Sequence, residues 1–565
     1  MTQPTHHHHR RRLVSGIAAV VAIFAAAVPC AAAGDAVVHG SVQADGLFPE
    51  EDASIGTGTY DQKFLFNTYA DVNLVSKYME GGVRAEFMKW PTPGFENDFA
   101  GWGIPNVYLK GKYKGFELTA GDFYEQFGSG FILRTYEERS LGIDNSLRGG
   151  RLKVTAVNGL KLTLLGGVQR RYWEWDTRSQ IYGADAEVTL SQYCPAMKKR
   201  GAVWSVGASY VLKNEDDENI VVPGTDYRLM VPQKVNAFDV RSRFQKGAWG
   251  VMGEFAYKSQ DPSFDNGYTY HNGTAVMLSG SYANAKKGMS ALVQVKRSDN
   301  MSFRSRRSMQ GLSAFVNNMP AFTYQHTYAL ASMYPYATQA APGEWAFQGQ
   351  LAYTFKRHTA LGGRYGTKVR LNASYVRGLD REPAVPDPTV GSTMGTDGGK
   401  ASFFGMGECY YQDVNLTIDK RITSDFQLTF MYMNQLYNKG VIEGHGDRVR
   451  SNIFVLDGKY KIDKRFTLRA ELQYLTTDQD LKDWAYGLLE FSVQPYLMVT
   501  LSDMWNCGND TDKKHYYMFG VTGTYRANRL MLSYGRTRAG YNCSGGVCRY
   551  VPASRGFSIS YSYNF

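Results

Sequence analysis

Apolar and polar residues alternate along the end of the chain, whose last nine residues read FSISYSYNF. Successive side chains of a β-strand point to opposite faces, so an alternation with period two gives one apolar and one polar face. The apolar face carries Phe557, Ile559, Tyr561, Tyr563 and Phe565. Chain ends tend to fray into water, so the pattern predicts a terminal strand whose aromatic face meets something other than water.

The same alternation recurs through the chain. Residues 466–474 place apolar side chains on one face and Thr467, Arg469, Glu471 and Gln473 on the other. Residues 368–375 and 413–418 repeat the pattern, with Lys368, Arg370 and Asp413 on their polar faces. Long strands with one apolar and one charged face are typical of membrane barrels, whose exterior meets lipid and whose interior meets water.

Connections between the predicted strands alternate in length. Short turns such as residues 114–115 and 246–247 alternate with long polar loops such as residues 214–233 and 379–404. Short turns at one end and long loops at the other are a feature of outer-membrane barrels. The sequence therefore predicts an all-β fold, a single transmembrane antiparallel β-barrel of about 24 strands that uses residues 34–565.

The N-terminus has the three parts of a secretory signal peptide. HHHHRRR forms a basic region, residues 13–29 are apolar, and three alanines precede Gly34. We expect residues 1–33 to be cleaved as a signal peptide. The alternative is an uncleaved membrane anchor, because the apolar run is nearly long enough to span a bilayer.

Composition is consistent with a barrel. The chain has 39 Tyr, 30 Phe and 59 Gly at a mean hydropathy of −0.36, and no long apolar run follows the leader. The net charge of +11 falls to about +8 once Arg10, Arg11 and Arg12 are removed, which is no basis for nucleic-acid binding. No group of ligands has metal-site spacing, so neither a metal nor a cofactor is predicted.

Five cysteines follow the leader, and Cys543 and Cys548 lie closest together, on either side of two glycines. Export to an oxidising compartment predicts a disulfide between them, and a reduced pair is the alternative. We expect the disulfide to fix a rigid turn that directs Arg549 and Arg555 towards acids of residues 120–152.

Residues 120–152 form the densest polar stretch of the chain. We expect this segment to fold into the lumen and narrow it, because its Phe and Leu side chains would otherwise be exposed. An ordinary solvated outer loop is the alternative. The candidate constriction residues are Asp122, Glu125, Arg134, Glu137, Glu138, Arg139, Asp144 and Arg148.

Residues 308–343 carry no charge and are rich in aromatic residues. So much apolar surface should be covered by the barrel interior or by a partner protein. The candidate partner contacts are Phe315, Met319, Phe322, Tyr324, Tyr328, Tyr334 and Tyr336. Arg304, Arg306 and Arg307 lie just before the segment. A solvated loop base is the commoner use of three such arginines, and contact with lipopolysaccharide phosphates is the alternative.

Three stretches carry a family resemblance: GDFYEQFGSGFILRTYEERSLGIDNSLR at 121–148, NMPAFTYQHTYALASMYPYATQ at 318–339 and CSGGVCRYVPAS at 543–554. Together they resemble a Bacteroidota family of outer-membrane β-barrels classified only as a domain of unknown function. The resemblance implies the fold and an outer-membrane location. It supplies no catalytic residues.

The chain has no HExxH and no GxSxG, and its histidines are scattered, so we expect no enzymatic activity. Two functions stay open: a passive channel for small polar solutes, or a non-catalytic accessory subunit of an outer-membrane assembly or secretion complex. The terminal aromatic strand resembles the assembly signal of bacterial outer-membrane barrels. Expected partners are the lipid bilayer, lipopolysaccharide, the barrel assembly machinery and other outer-membrane or periplasmic proteins, and the expected location is the Gram-negative outer membrane.

Overall fold

A computed structural model of the chain describes residues 36–511 and 513–565, so the predicted signal peptide lies outside the described residues. The described residues form one 24-stranded sheet in which every pairing is antiparallel and which closes on itself. The predicted barrel is therefore confirmed. Its strands are β1 (Val37–Glu50), β2 (Leu65–Val75), β3 (Met79–Met88), β4 (Gly101–Tyr113), β5 (Phe116–Phe123), β8 (Leu147–Val154), β9 (Leu160–Arg171), β10 (Glu174–Thr189), β11 (Ala202–Glu215), β12 (Lys234–Lys246), β13 (Trp249–Lys258), β14 (Gly273–Asn284), β15 (Met289–Asp299), β16 (Glu344–Phe355), β17 (Thr367–Arg381), β18 (Ala401–Arg421), β19 (Phe426–Asn438), β20 (Arg448–Lys461), β21 (Phe466–Thr476), β22 (Trp484–Val493), β23 (Leu497–Trp505), β24 (His515–Tyr525), β25 (Asn528–Thr537) and β28 (Ser554–Asn564).

Small elements lie in the connections. Two short hairpins, β6 (Glu137–Glu138) with β7 (Ile143–Asp144) and β26 (Gly540–Ser544) with β27 (Val547–Val551), form sheets of their own. The described helices are short: Asn97–Phe99, Arg139–Leu141, Leu190–Gln192, Pro195–Lys199, Phe264–Asn266 and Lys439–Ile442. None of the helices in the described residues is long and apolar enough to cross a membrane.

The first and last strands close the barrel. β1 pairs with β28, and Gly40 and Phe565 exchange two backbone hydrogen bonds of 3.0 and 2.9 Å. The ring of Phe565 lies over Gly40, where a Cβ atom would be 2.1 Å from it. Closure leaves no unpaired strand edge, which is a requirement for a sheet surrounded by lipid.

The two faces of the wall differ as the alternation predicts. Leu472, Phe454 and Leu371 are exposed on the outer face. Their neighbours Glu471 and Gln473, as well as Asn372, point inward and are buried. An apolar exterior around a polar-containing interior is the arrangement of a barrel in lipid.

The connections are sorted between the two ends of the barrel. In the described fold, eleven turns leave one end, which we call the short-turn end, and twelve connections leave the other, the long-loop end. The longest of these loops, residues 300–343, joins β15 to β16, and residues 124–146 join β5 to β8. Both are too long for a hairpin turn and supply material that can enter the barrel.

Closure through Gly40 and Phe565 gives the first prediction. We expect deletion of Phe565, or Gly40→Ala, to lower the amount of folded barrel. The deletion removes the contact of Phe565 with Gly40, and the Cβ atom of an alanine would overlap the Phe565 ring. The control is Gly349→Ala in β16, since no atom lies within 4 Å of a Cβ there. The folded fraction is measured by the mobility of unheated samples on gels. Equal folding of all three variants would contradict a closing role for this contact.

Candidate functional site

Residues 124–146, which we call the first inward segment, lie inside the barrel. Phe127, Phe131 and Leu133 are almost fully buried, and the segment reaches across to β13. There the Ser129 amide donates to Glu254 Oε1 at 2.9 Å, and the Ser129 hydroxyl donates to Oε2 at 2.7 Å. The tip of the segment is therefore attached to a strand five places along the wall from β8, and the segment lies inward, as the sequence predicts.

Residues 300–343, the second inward segment, run down the lumen from β15. The Tyr324 amide donates to Ser374 Oγ at 3.1 Å, and the Leu330 amide donates to Gln473 Oε1 at 2.8 Å. Tyr328 Oη donates to Asp457 Oδ2 at 3.2 Å, four residues from the short-turn end of β20. The segment therefore spans most of the depth of the barrel.

The two inward segments pack against each other. Asn317 Nδ2 donates to the carbonyls of Phe131 and Met301, each at 2.7 Å. The Arg134 amide donates to the carbonyl of Val316 at 2.9 Å. Their apolar side chains form one buried cluster with inward-facing residues of β8 to β22, among them Val211, Val235, Met277, Val376, Met433, Ile453, Leu475 and Trp484. This sector of the lumen is a packed core.

The aromatic residues of the second segment form this core. Met319, Phe322, Tyr334 and Tyr336 are buried, and Phe315, Tyr324 and Tyr328 are half-buried. Of the two coverings that the sequence left open, the barrel interior is the one that the structure shows. A partner protein is not needed to cover these side chains.

One buried ion pair, between Lys296 and Glu344, joins the two strands from which the second inward segment leaves the wall. Lys296 and Glu344 are fully buried on β15 and β16 and lie 2.7 Å apart. Lys296 also donates to the carbonyl of Pro320 at 2.6 Å. A charge buried without its partner is strongly destabilising, so this pair fixes both the wall and the segment.

The three arginines just before the second inward segment, Arg304, Arg306 and Arg307, are buried. Arg304 contacts Asp265 at 2.7 Å, Arg307 contacts Glu215 at 3.0 Å, and Arg306 pairs with Asp176 and Glu218. These arginines are therefore neither a solvated loop base nor available to lipopolysaccharide phosphates. The acids that neutralise these arginines come from other loops and strands, which the local sequence does not reveal.

Several candidate constriction residues meet charged residues on β2, β3 and β9. Asp144 pairs with Arg84 and Arg170, Glu137 contacts Arg84 at 2.9 Å, and Arg139 contacts Asp71 at 2.9 Å. Burial raises the pKa of Asp144, but the guanidinium groups of Arg170 and Arg84 outweigh burial and hold the pKa at about 2. The carboxylate is therefore ionised at neutral pH. The acids Glu86, Glu137 and Asp144 come within 4.8 Å of one another, with the two arginines as counter-charges.

The remaining candidates lie elsewhere on the segment or its flanks. Glu125 contacts Arg151 at 3.2 Å, and Arg148 pairs with Asp122 at 2.7 Å. Arg134 stacks on Tyr136, and Glu138 accepts from Ser544 of the β26–β27 hairpin at 3.3 Å. The eight candidates are thus spread over several contacts and do not form one ring.

The predicted disulfide joins Cys543 to Cys548 in the β26–β27 hairpin and is confirmed. The hairpin folds over the inward segments, where Arg549 donates to the carbonyl of Leu141 at 2.6 Å. Arg555 instead contacts Glu50 at 3.0 Å. The prediction that both arginines meet acids of residues 120–152 is therefore wrong. Arg549 reaches that segment but binds a carbonyl, and Arg555 binds Glu50 at the end of β1 and Asp52 in the loop that follows it.

The sector of the wall from β23 to β2 is different. Many of its inward side chains are polar and remain half-buried, although Met504 and Tyr516 still pack against the core. The polar ones include Thr500, Ser502, Ser533, Ser558, Ser560, Ser562, Gln43, Asp71 and Asn73. Beside it a cavity of about 340 Å³ is lined by Asp71, Asn73, Lys110 and Arg151 among others. The packed core therefore fills one side of the lumen and leaves a polar surface on the other.

Sequence reasoning missed the partners that the wall supplies. Arg84 and Glu86 alternate with apolar Val83, Ala85 and Phe87, so the period of two could have placed both in the lumen. The fully buried lysines Lys213 and Lys296 follow the same alternation. No local signal predicts which loop each of them meets.

Closure, the sorted faces and the filled interior define the class: a 24-stranded β-barrel whose lumen is partly occupied by its own loops. The chain belongs to a family of unknown function, DUF6029, whose model matches residues 12–565. No curated protein matches the sequence.

Solved structures similar to this chain are barrels with very different sequences. They include the siderophore receptor PirA from Pseudomonas aeruginosa, at 11% identity and TM-score 0.39, covering 94% of this chain and 80% of that one. OccAB3 from Acinetobacter baumannii has 9% identity and TM-score 0.35, with coverage of 94% and 99%. OpdK from Pseudomonas aeruginosa has 8% identity and TM-score 0.32, with coverage of 94% and 98%. The fold described above rests on the strand pairing of this chain itself.

The buried pair Lys296–Glu344 gives the second prediction. We expect Glu344→Ala to loosen the second inward segment, because an uncompensated buried lysine costs about 3–5 kcal/mol. Limited trypsin digestion should then cut at Arg304, Arg306 or Arg307, which are buried in the folded barrel. The control is Glu382→Ala, which removes an exposed acid. Equal resistance of the two variants to trypsin would contradict the role of the Lys296–Glu344 pair in holding the second inward segment.

Proposed function

We propose that the chain is an outer-membrane barrel that acts as a passive channel for small polar solutes, with a passage narrowed by its inward segments. The observation that carries the proposal is the division of the lumen. The core between β8 and β22 is closed, whereas the wall from β23 to β2 presents half-buried hydroxyl, amide and carboxylate groups.

The outer-membrane location is supported by the exterior of the barrel. Large apolar side chains such as Leu118, Val293 and Leu501 are more than half exposed on outward-facing positions. Water would not favour such a surface on a monomer, whereas hydrocarbon would. The basic and apolar regions of residues 1–33 support export, and their cleavage stays a prediction.

The polar side of the lumen supports the proposal that the solutes are polar and remain hydrated during passage. Serine and threonine side chains replace part of a hydration shell without binding tightly, so a solute can both enter and leave. The passage also lies beside fixed charges, including Asp71, Lys110 and Arg151. A passage lined by charges of both signs favours uncharged or weakly charged polar solutes over apolar solutes.

The second candidate is the accessory subunit. It is favoured by the amount of chain that the lumen contains, since a barrel with a large internal core need not conduct. Under this alternative the long-loop end would contact other outer-membrane proteins. The aromatic residues of the second inward segment would not contribute, because the barrel covers them.

Conductance in planar bilayers gives the third prediction. We expect small, stable single-channel currents from the full chain. The double substitution Ser558→Lys and Ser562→Lys adds two positive charges to the polar wall. Charges that line a cleft change local ion concentrations strongly. We therefore expect the anion-to-cation permeability ratio, calculated from the reversal potential in a salt gradient, to rise about twofold or more.

The control for this variant carries the same added charge away from the lumen. Met230→Lys with Val385→Lys changes two loop residues that are 85% and 78% exposed. Only the wall variant should alter selectivity. Absence of current from the full chain, together with stoichiometric copurification of another membrane protein, would contradict the channel and favour the accessory role.

A further inference from the structure

The two ends of the barrel carry opposite charge. The eleven turns of the short-turn end contain thirteen lysines and arginines and two acids. The twelve connections of the long-loop end contain twenty-five acids and fifteen bases. Among the connections, the excess of positive charge is therefore confined to the short-turn end.

The bases of the short-turn end are free to bind an external anion. All thirteen are exposed, and within the described residues none of them forms an ion pair. They are Lys77, Lys114, Lys198, Lys199, Arg200, Lys286, Lys287, Lys356, Arg357, Arg364, Lys464, Arg465 and Arg526. We call this set the basic ring. By contrast, the arginines of the second inward segment are buried and neutralised by acids of the chain.

Exposed aromatic residues lie next to the basic ring. Tyr78, Tyr113, Trp249, Tyr460, Tyr496 and Tyr525 are 48–63% exposed at the short-turn ends of their strands. Lys77 and Arg526 lie over the rings of Tyr78 and Tyr525 at 5.1 and 5.4 Å. Aromatic residues of this kind mark the boundary between hydrocarbon and headgroups, so the bases just beyond them are placed at the depth of lipid phosphates.

The distribution of the ring indicates the kind of ligand. Seven of the eleven turns carry at least one of the bases, and these turns are spread around the circumference from β2–β3 to β24–β25. A protein partner docks on one sector, whereas the lipid of a leaflet surrounds a barrel on all sides. Lysine and arginine near a membrane surface are attracted to anionic headgroups.

From these observations we propose that the basic ring binds the phosphates of anionic glycerophospholipids in the leaflet at the short-turn end. The inference rests on the membrane location in the proposed function but not on conduction. It assigns the two ends: the basic end faces the phospholipid leaflet, and the acidic long-loop end faces the opposite side. The ring then fixes the depth of the barrel through charge as well as through its aromatic residues.

The test uses native mass spectrometry of the full chain in detergent with equimolar phosphatidylglycerol and phosphatidylcholine. We expect the chain to retain phosphatidylglycerol several-fold in excess, and raised salt should reduce that excess by screening. Lys198→Gln, Lys199→Gln, Lys286→Gln and Lys287→Gln combined should remove much of the preference. These residues lie in exposed turns, away from the closing contact and the inward segments.

The control removes four positive charges from the long-loop end: Lys63→Gln, Lys89→Gln, Lys400→Gln and Lys513→Gln, all at exposed positions. It should retain the lipid preference of the unaltered chain. Equal loss in both variants, or no preference in the unaltered chain, would overturn the proposal. So would stronger retention of lipid A than of phosphatidylglycerol, or an acidic protein that copurifies until the four turn lysines are replaced. A chain that retains phosphatidylglycerol but passes no current would contradict only the channel.

Discussion

The width of the barrel is the constraint on which the rest of the structure depends. Twenty-four strands enclose more space than inward-facing side chains of the wall can fill, so the lumen must contain water or additional chain. In this protein, additional chain fills part of the lumen. Two loops enter the lumen and build a core against β8 to β22, and the polar wall from β23 to β2 is left without such a cover.

The composition of the inner wall follows from that division. Where a segment covers the wall, inward positions are apolar, as at Ile453 and Leu475, or are charges with a partner, as at Lys296. Buried polar groups are costly unless they are hydrogen-bonded. In the covered sector, buried lysines such as Lys213 and Lys296 are accordingly paired with acids of the chain. The proposed channel therefore uses the sector in which the wall remains accessible to solutes.

Much of the fold could be predicted from the alternation of residues, because a strand between lipid and lumen imposes a period of two wherever it crosses. The faces of residues 466–474 and the aromatic terminal strand are examples, and the pair Cys543–Cys548 is close enough in sequence to be predicted as a disulfide. The contacts of the candidate site are harder to predict from the sequence. Arg304, Arg306 and Arg307 look like a surface cluster, yet their partners Asp265, Asp176 and Glu215 come from distant parts of the chain. Contacts between loops inside a barrel have no period, so no local pattern predicts them.

The central claim is that residues 300–343 are a folded part of the lumen. Hydrogen exchange of the full chain in detergent, read by mass spectrometry, tests this most directly. The amides of Tyr324 and Leu330 are bonded to side chains of the wall, and Val316 is bonded to Phe303 within the core. We predict that peptides covering these residues exchange as slowly as the barrel strands. Complete exchange of these peptides within seconds, while the strands stay protected, would contradict the account.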